Sequence, residues 1–75
     1  MERYKNLGGD SSVARYEIAE TSIIVEFKDN SAYLYSHVSP GPAHVAQLKA
    51  LAVAGQGLNG FISRHIKKRY EKRLR

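Results

Sequence analysis

The chain has 75 residues, no cysteine and a formal net charge of +5. Such a length suffices for one domain, residues 1–75, whose core supplies only about 3–5 kcal/mol of net stability. The lack of cysteine excludes disulfides and thiolate metal sites and fits a reducing compartment, so we expect a cytoplasmic protein. No apolar run approaches the roughly 20 residues of a transmembrane helix, and residues 1–12 carry charges where a signal peptide is apolar.

The positive charge is concentrated near the C-terminal end of the sequence. Residues 63–75 contain seven Lys or Arg residues against one acid, Glu71, which gives this segment a local charge of +6. Because the total is +5, residues 1–62 carry −1. This asymmetry predicts an anionic partner, either a nucleic acid or an acidic surface.

The first half of the chain predicts β-structure. We interpret residues 1–11 as a flexible leader, because their charges and paired glycines follow no pattern. Residues 12–18 contain the β-branched and aromatic side chains of a short strand. Alternation in "SIIVEF", residues 22–27, predicts a second strand, and "AYLYSHV", residues 32–38, a third. The three together predict an antiparallel meander.

The turn between the second and third strands leaves the register open. Asp29 and Asn30 both tolerate the left-handed backbone of tight hairpin turns. With a two-residue loop, Tyr33 and Tyr35 lie on the sheet face opposite to Phe27. With a three-residue loop and a bulge, they lie on the Phe27 face, because a slip of one residue inverts every side chain.

Two helices are predicted after the strands. Pro42 suits a first helical turn and Gly55 a helix C-terminus, and apolar residues recur between them at helical spacing. Beyond "GQGLNG", a four-residue repeat predicts an amphipathic, cationic second helix whose end, residues 71–75, frays. The apolar residues of that repeat are Ile62, Ile66, Tyr70 and Leu74, with Phe61 beside them.

The predicted fold class is α+β. A three-stranded antiparallel meander is followed by two helices that pack on one sheet face, in the order βββαα. We expect the other sheet face to be solvated or bound. We also expect the tyrosine nearer the turn, Tyr33, to keep an exposed ring on the uncovered face, and Tyr35 to be closer to the core.

Several of these elements together resemble the KTSC domain, named after the C-terminal region of some lysyl-tRNA synthetases. They are the strand ending in Phe27, the Tyr33-x-Tyr35 pair, Val38 and Pro40, a short helix, and "GFISRHIKKRY". The likeness covers roughly residues 12 to 70. The closing motif of that family resembles Gly, aromatic, Asn, Ile, Arg and Tyr, which map onto Gly60, Phe61, Ser63, Ile66, Lys67 and Tyr70.

The chain departs from the family pattern at three places. Ser63 stands where the family usually has Asn, Lys67 stands where Arg is common, and the "GQGLNG" loop lacks the usual Ser-x-Gly pattern. A specific contact made by that Asn or Arg would be weakened here. The resemblance implies a stand-alone RNA-binding domain, with tRNA or another structured RNA as the partner.

The residues themselves favour the same function. Cations in the last predicted helix would bind phosphates, with a solvated helix face as the alternative; they are Arg64, Lys67, Lys68, Arg69, Lys72 and Arg73. Tyr33 and Tyr35 would stack bases, with cross-strand packing as the alternative. A second candidate function is a protein-interaction domain that docks an acidic partner or self-associates through its sheet. Membrane binding is disfavoured because the apolar stripe is needed for the core.

Catalysis and metal binding are not expected. His37, His44 and His65 are far apart in the sequence, without HExxH spacing, a phosphate-binding loop or a serine elbow. Histidines near helix ends are usually solvent-facing or locally satisfied. We therefore predict a monomeric, non-enzymatic module with no cofactor and no metal.

Overall fold

The computed structural model describes residues 1–75 and has five antiparallel strands in the order β1-β2-β3-β4-β5. The strands are β1 Glu2–Arg3, β2 Val13–Ile18, β3 Ser22–Phe27, β4 Ala32–Ser36 and β5 Lys72–Arg73. The helices are α1 Pro42–Ala54 and α2 Leu58–Phe61, and α2 continues as a π-helical segment, Ile62–Ile66. The predicted α+β class is confirmed, and the predicted meander forms the centre of a larger sheet.

The β3–β4 hairpin adopts the three-residue loop. The Phe27 N–H donates to the Ser31 carbonyl at 2.8 Å, and the Asn30 N–H donates to the Phe27 carbonyl at 2.9 Å. Asn30 has a φ of 72°, the left-handed conformation that this loop requires at its last position. Tyr33 is consequently paired with Val25 and Tyr35 with Ile23. Both tyrosines therefore lie on the face that carries Phe27.

Helix α1 agrees with the sequence prediction. Pro42 is its first residue, and Gly55 ends it in the left-handed conformation, with its N–H donating to the Leu51 carbonyl. On the opposite side of its axis, the Lys49 ammonium donates to the carbonyls of Ala19 and Glu20, which ties α1 to the β2–β3 turn. None of the helices combines the length with the apolar composition that crossing a bilayer requires.

The N-terminal segment interpreted as a leader belongs to the fold. Strand β1 pairs with β2, and Tyr4, only 4% exposed, lies in the core. The Tyr4 hydroxyl accepts a hydrogen bond from the Leu58 N–H at 3.3 Å, and the Leu7 N–H donates to the Gly55 carbonyl at 2.8 Å. The expectation of a flexible segment was wrong because β1 is defined by its partner strand and not by a pattern of its own.

The second predicted helix is shorter than the sequence suggested. It ends at Ile66, and Lys67 has a φ of 55°. The chain then turns back and forms β5 along β4, so residues 71–75 are not a fraying helix end. A continued helix would place Arg64 beside Lys68 and Lys68 beside Lys72, and like charges at this spacing are destabilising. The edge of β4 offers carbonyl groups instead, which the N–H groups of Glu71 and Leu74 bind.

The core lies between the sheet and the helices. One cluster of buried side chains joins strands β2, β3 and β4 to both helices. Its members are Tyr4, Val13, Ile23, Val25, Tyr35, Leu48, Ala52, Leu58, Ile62 and Ile66. The predicted packing of both helices on one face of the sheet agrees with this arrangement.

Candidate nucleic-acid interface

The predicted phosphate-binding cations lie on three consecutive elements. Arg64 lies in the π-helical segment, three cations form the turn after it, and two form β5; all six residues are exposed. We call these residues the basic segment: Arg64, Lys67, Lys68, Arg69, Lys72 and Arg73. The single helix face expected from the sequence is therefore replaced by a helix end, a turn and a sheet edge.

None of the six cations is in an ion pair. The structure contains two ion pairs, and both are made with Glu26, by Arg15 and by Arg75. Glu71 is the one acid inside the basic segment. The positive charge of the segment is therefore available to an external anion.

The backbone of the basic segment is held in place at both ends. The Ser39 hydroxyl donates to the Arg69 carbonyl at 2.7 Å, and the Arg69 N–H donates to the Ile66 carbonyl at 3.0 Å. Further along, the Glu71 N–H donates to the Leu34 carbonyl at 2.7 Å. These contacts fix the turn against the sheet, so its cations project from an ordered backbone.

Tyr35 is a core residue. Its side chain is 1% exposed, and burial, assisted by the neighbouring Tyr33 and Tyr70, raises the pKa of its phenol far above the usual value. A ring buried to this degree offers no face to a base. The predicted stacking role of Tyr35 is therefore not available in this structure.

Tyr33 is half-buried, and its ring is already in contact with other side chains. The ring centroid of Tyr70 lies 4.6 Å away, Phe27 approaches edge-on at 5.7 Å, and the Arg73 guanidinium lies 5.5 Å from the ring centroid. The expectation that Tyr33 lies on the uncovered face was wrong, because the three-residue loop turns it toward the helices and the C-terminal segment. Of the two alternatives left open by the sequence, the structural role fits this packing.

A second group of rings was missed by the sequence analysis. Phe61 lies 5.0 Å from His65 and 6.1 Å from His44, measured between ring centroids. His65 is exposed, whereas Phe61 and His44 are half-buried. The signal in the sequence was the four-residue spacing of Phe61 and His65, which places both on one side of a helix.

The face of the sheet without helices carries a buried carboxylate. Glu26 is only 3% exposed, and its Oε1 accepts a hydrogen bond from the Arg15 Nε at 2.6 Å while Oε2 binds the Arg75 guanidinium. The hydrogen bond from Arg15 holds the pKa of this carboxyl below its usual value, against the opposing effect of burial, and the charges of Arg15 and Arg75 lower it further. Arg75 therefore closes the sheet and is not part of the free charge.

A polar cleft of about 330 Å³ lies beside the basic segment. It is bounded by the N-terminal loop and by the start of α2, and Arg64 is its one cation. Asp10 is its one carboxylate. The structure contains no group of three or more His, Asp or Glu side chains placed to hold a metal ion. What the observed arrangement provides is a concentration of guanidinium and ammonium groups suited to binding anions.

Comparison of the chain with family models, with curated proteins and with solved structures finds no match. The resemblance of residues 12–70 to the KTSC domain therefore stays a prediction. A functional assignment has to come from the charges, rings and contacts described above.

Proposed function

We propose that the chain is a small, non-enzymatic RNA-binding module that binds phosphates through its basic segment. The observation that carries this proposal is the group of six exposed cations, none of which is in an ion pair. A carboxylate partner inside the protein would have neutralised them. Without one, they produce a positive field that attracts a polyanion.

The mounting of the cations supports a specific surface over a merely solvated one. The turn that carries Lys67 and Lys68 is fixed by hydrogen bonds to Ser39 and Ile66 through Arg69. An ordered backbone reduces the entropy that is lost when a ligand binds. The half-buried and exposed rings of Phe61 and His65 lie on the preceding turns, so apolar and cationic groups adjoin each other.

The test is a salt titration of RNA binding with two matched variants. In the first, Lys67→Gln and Lys68→Gln remove two cations from the basic segment. In the control, Arg3→Gln and Lys28→Gln remove two exposed cations from elsewhere, so both variants have the same net charge. We expect the first to lower the slope of log K against log salt by about 0.7 per lost contact on single strands.

Two results would contradict the proposal. The first is equal salt slopes for both variants, which would mean that only net charge matters. The second is equal binding of polyglutamate and RNA by the wild type, which would favour docking of an acidic protein. Under the proposal, RNA binds more tightly than polyglutamate, and the control variant keeps the wild-type slope to within its error.

A further inference from the structure

Three rings from two helices form one cluster at the surface. The ring cluster consists of His44 in α1, Phe61 at the end of α2 and His65 in the π-helical segment. Phe61 is the central ring, at 5.0 Å from His65 with an angle of 41° between the planes, and at 6.1 Å from His44 with an angle of 55°. The cluster thus exposes the His65 ring beside a half-buried aromatic one.

The two imidazoles have no evident structural task. Neither the His44 nor the His65 side chain takes part in a hydrogen bond or an ion pair within the protein. Phe61, by contrast, packs against the buried core and anchors the cluster to it. His65 is therefore free to contact another molecule from a supported position.

Cations of the basic segment stand next to the ring cluster. Arg64 precedes His65 in the chain, and the Arg69 guanidinium folds back to donate to the His65 carbonyl at 3.1 Å. Proteins that bind single-stranded nucleic acids combine these two features, with rings that stack bases and cations that bind the flanking phosphates. The strand tyrosines do not offer this combination, because Tyr35 is buried and the ring of Tyr33 contacts Tyr70 and Arg73.

We propose that the ring cluster stacks an unpaired base of single-stranded RNA, while Arg64 and Arg69 bind the adjacent phosphates. This inference rests on the proposed RNA-binding function and adds the class of RNA and the place of base contact. A base-paired stem keeps its bases within the helix, where the rings cannot stack on them. The preferred ligand is therefore an unpaired segment.

The test compares two oligonucleotides of equal length and equal phosphate number, oligouridylate and its abasic counterpart. For the wild type we expect oligouridylate to bind roughly 5- to 150-fold more tightly for each stacked base. His65→Ala should reduce this ratio and leave the affinity for the abasic strand unchanged. His65→Phe keeps a ring and should retain the ratio, and His37→Ala, an exposed histidine outside the cluster, is the matched control.

The possible outcomes separate the two proposals. Equal binding of both oligonucleotides by the wild type would overturn base stacking and leave phosphate binding standing. Binding of neither would contradict the RNA-binding function itself. An equal loss of affinity for both strands in His65→Ala would also overturn stacking. If that variant does not fold, His65→Gln supplies the same loss of the ring with a helix-forming side chain.

Discussion

The ring of Tyr70 lies 4.6 Å from the ring of Tyr33, measured between centroids. Tyr70 follows the basic turn, and Tyr33 lies in the strand that pairs with β5. Tyr35 approaches Tyr70 from the same side, at 6.3 Å. This contact closes the C-terminal segment onto the sheet, so the position of the cations depends on aromatic packing.

Loss of the Tyr70 ring should destabilise the protein. For Tyr70→Ala we expect the free energy of unfolding to fall by about 2 kcal/mol, because apolar burial and two ring contacts are lost. Tyr70→Phe keeps the ring and should have close to wild-type stability. Urea denaturation followed by circular dichroism measures both variants, and identical midpoints for Tyr70→Ala and wild type would contradict the described packing.

Tyr4 should matter to stability although it lies in an N-terminal segment without a recognisable pattern. Tyr4→Ala is expected to cost about 3 kcal/mol by leaving a cavity in the core. Tyr4→Phe should cost about 1 kcal/mol, because the Leu58 N–H loses its acceptor. Leu7→Ala, at a residue that is 63% exposed, is the control and should be close to neutral in thermal unfolding.

The Asn30 backbone makes a prediction about the hairpin. Its φ of 72° strains any side chain that does not favour the left-handed region. We expect Asn30→Val to cost about 1–2 kcal/mol, whereas Asn30→Gly should be neutral or slightly stabilising in urea denaturation. Equal costs for the two substitutions would argue against the three-residue loop.

Glu26 should make stability depend on acid pH. Its pKa is lowered in the folded protein, so the charged form contributes stability at neutral pH. That contribution should begin to fade near the ordinary carboxyl value of 4.5 and be lost as the pH falls through the lower folded value. In Glu26→Gln, stability at pH 7 should be lower and this part of the acid dependence absent.

The control for this pH dependence is Glu17→Gln, which removes an exposed carboxylate that forms no ion pair. Thermal unfolding between pH 3 and pH 7 measures all three proteins. A wild-type profile that is unchanged in Glu26→Gln would show that the contacts with Arg15 and Arg75 contribute no stability.

The parts of the fold that the sequence predicts are those with a pattern of their own. Helix α1 has a proline at its start and a glycine at its end, and β3 alternates strictly. The hairpin residues were recognised, but Asp29 and Asn30 suit both loop lengths, so the register needed the tertiary contacts of Tyr33. That register decided whether the tyrosines face the core.

The remaining elements depend on distant partners. Strands β1 and β5 have two residues each, so pairing defines them and local sequence does not. The repeat of Ile62, Ile66, Tyr70 and Leu74 is helical in spacing, but only its first half is used in a helix. In the candidate site, the cations were found from composition, whereas the ring cluster needed His44 to be brought to Phe61 by the packing of α1.

The most direct test of the RNA-binding account is a titration of the ¹⁵N-labelled protein with a short single-stranded RNA, followed by ¹H–¹⁵N correlation spectra at low salt. The account predicts that amide shifts change in residues 61–73 and at His44, and that raising the salt concentration reverses them. Shift changes confined to β1 and β2, or an absence of change at saturating RNA, would contradict it.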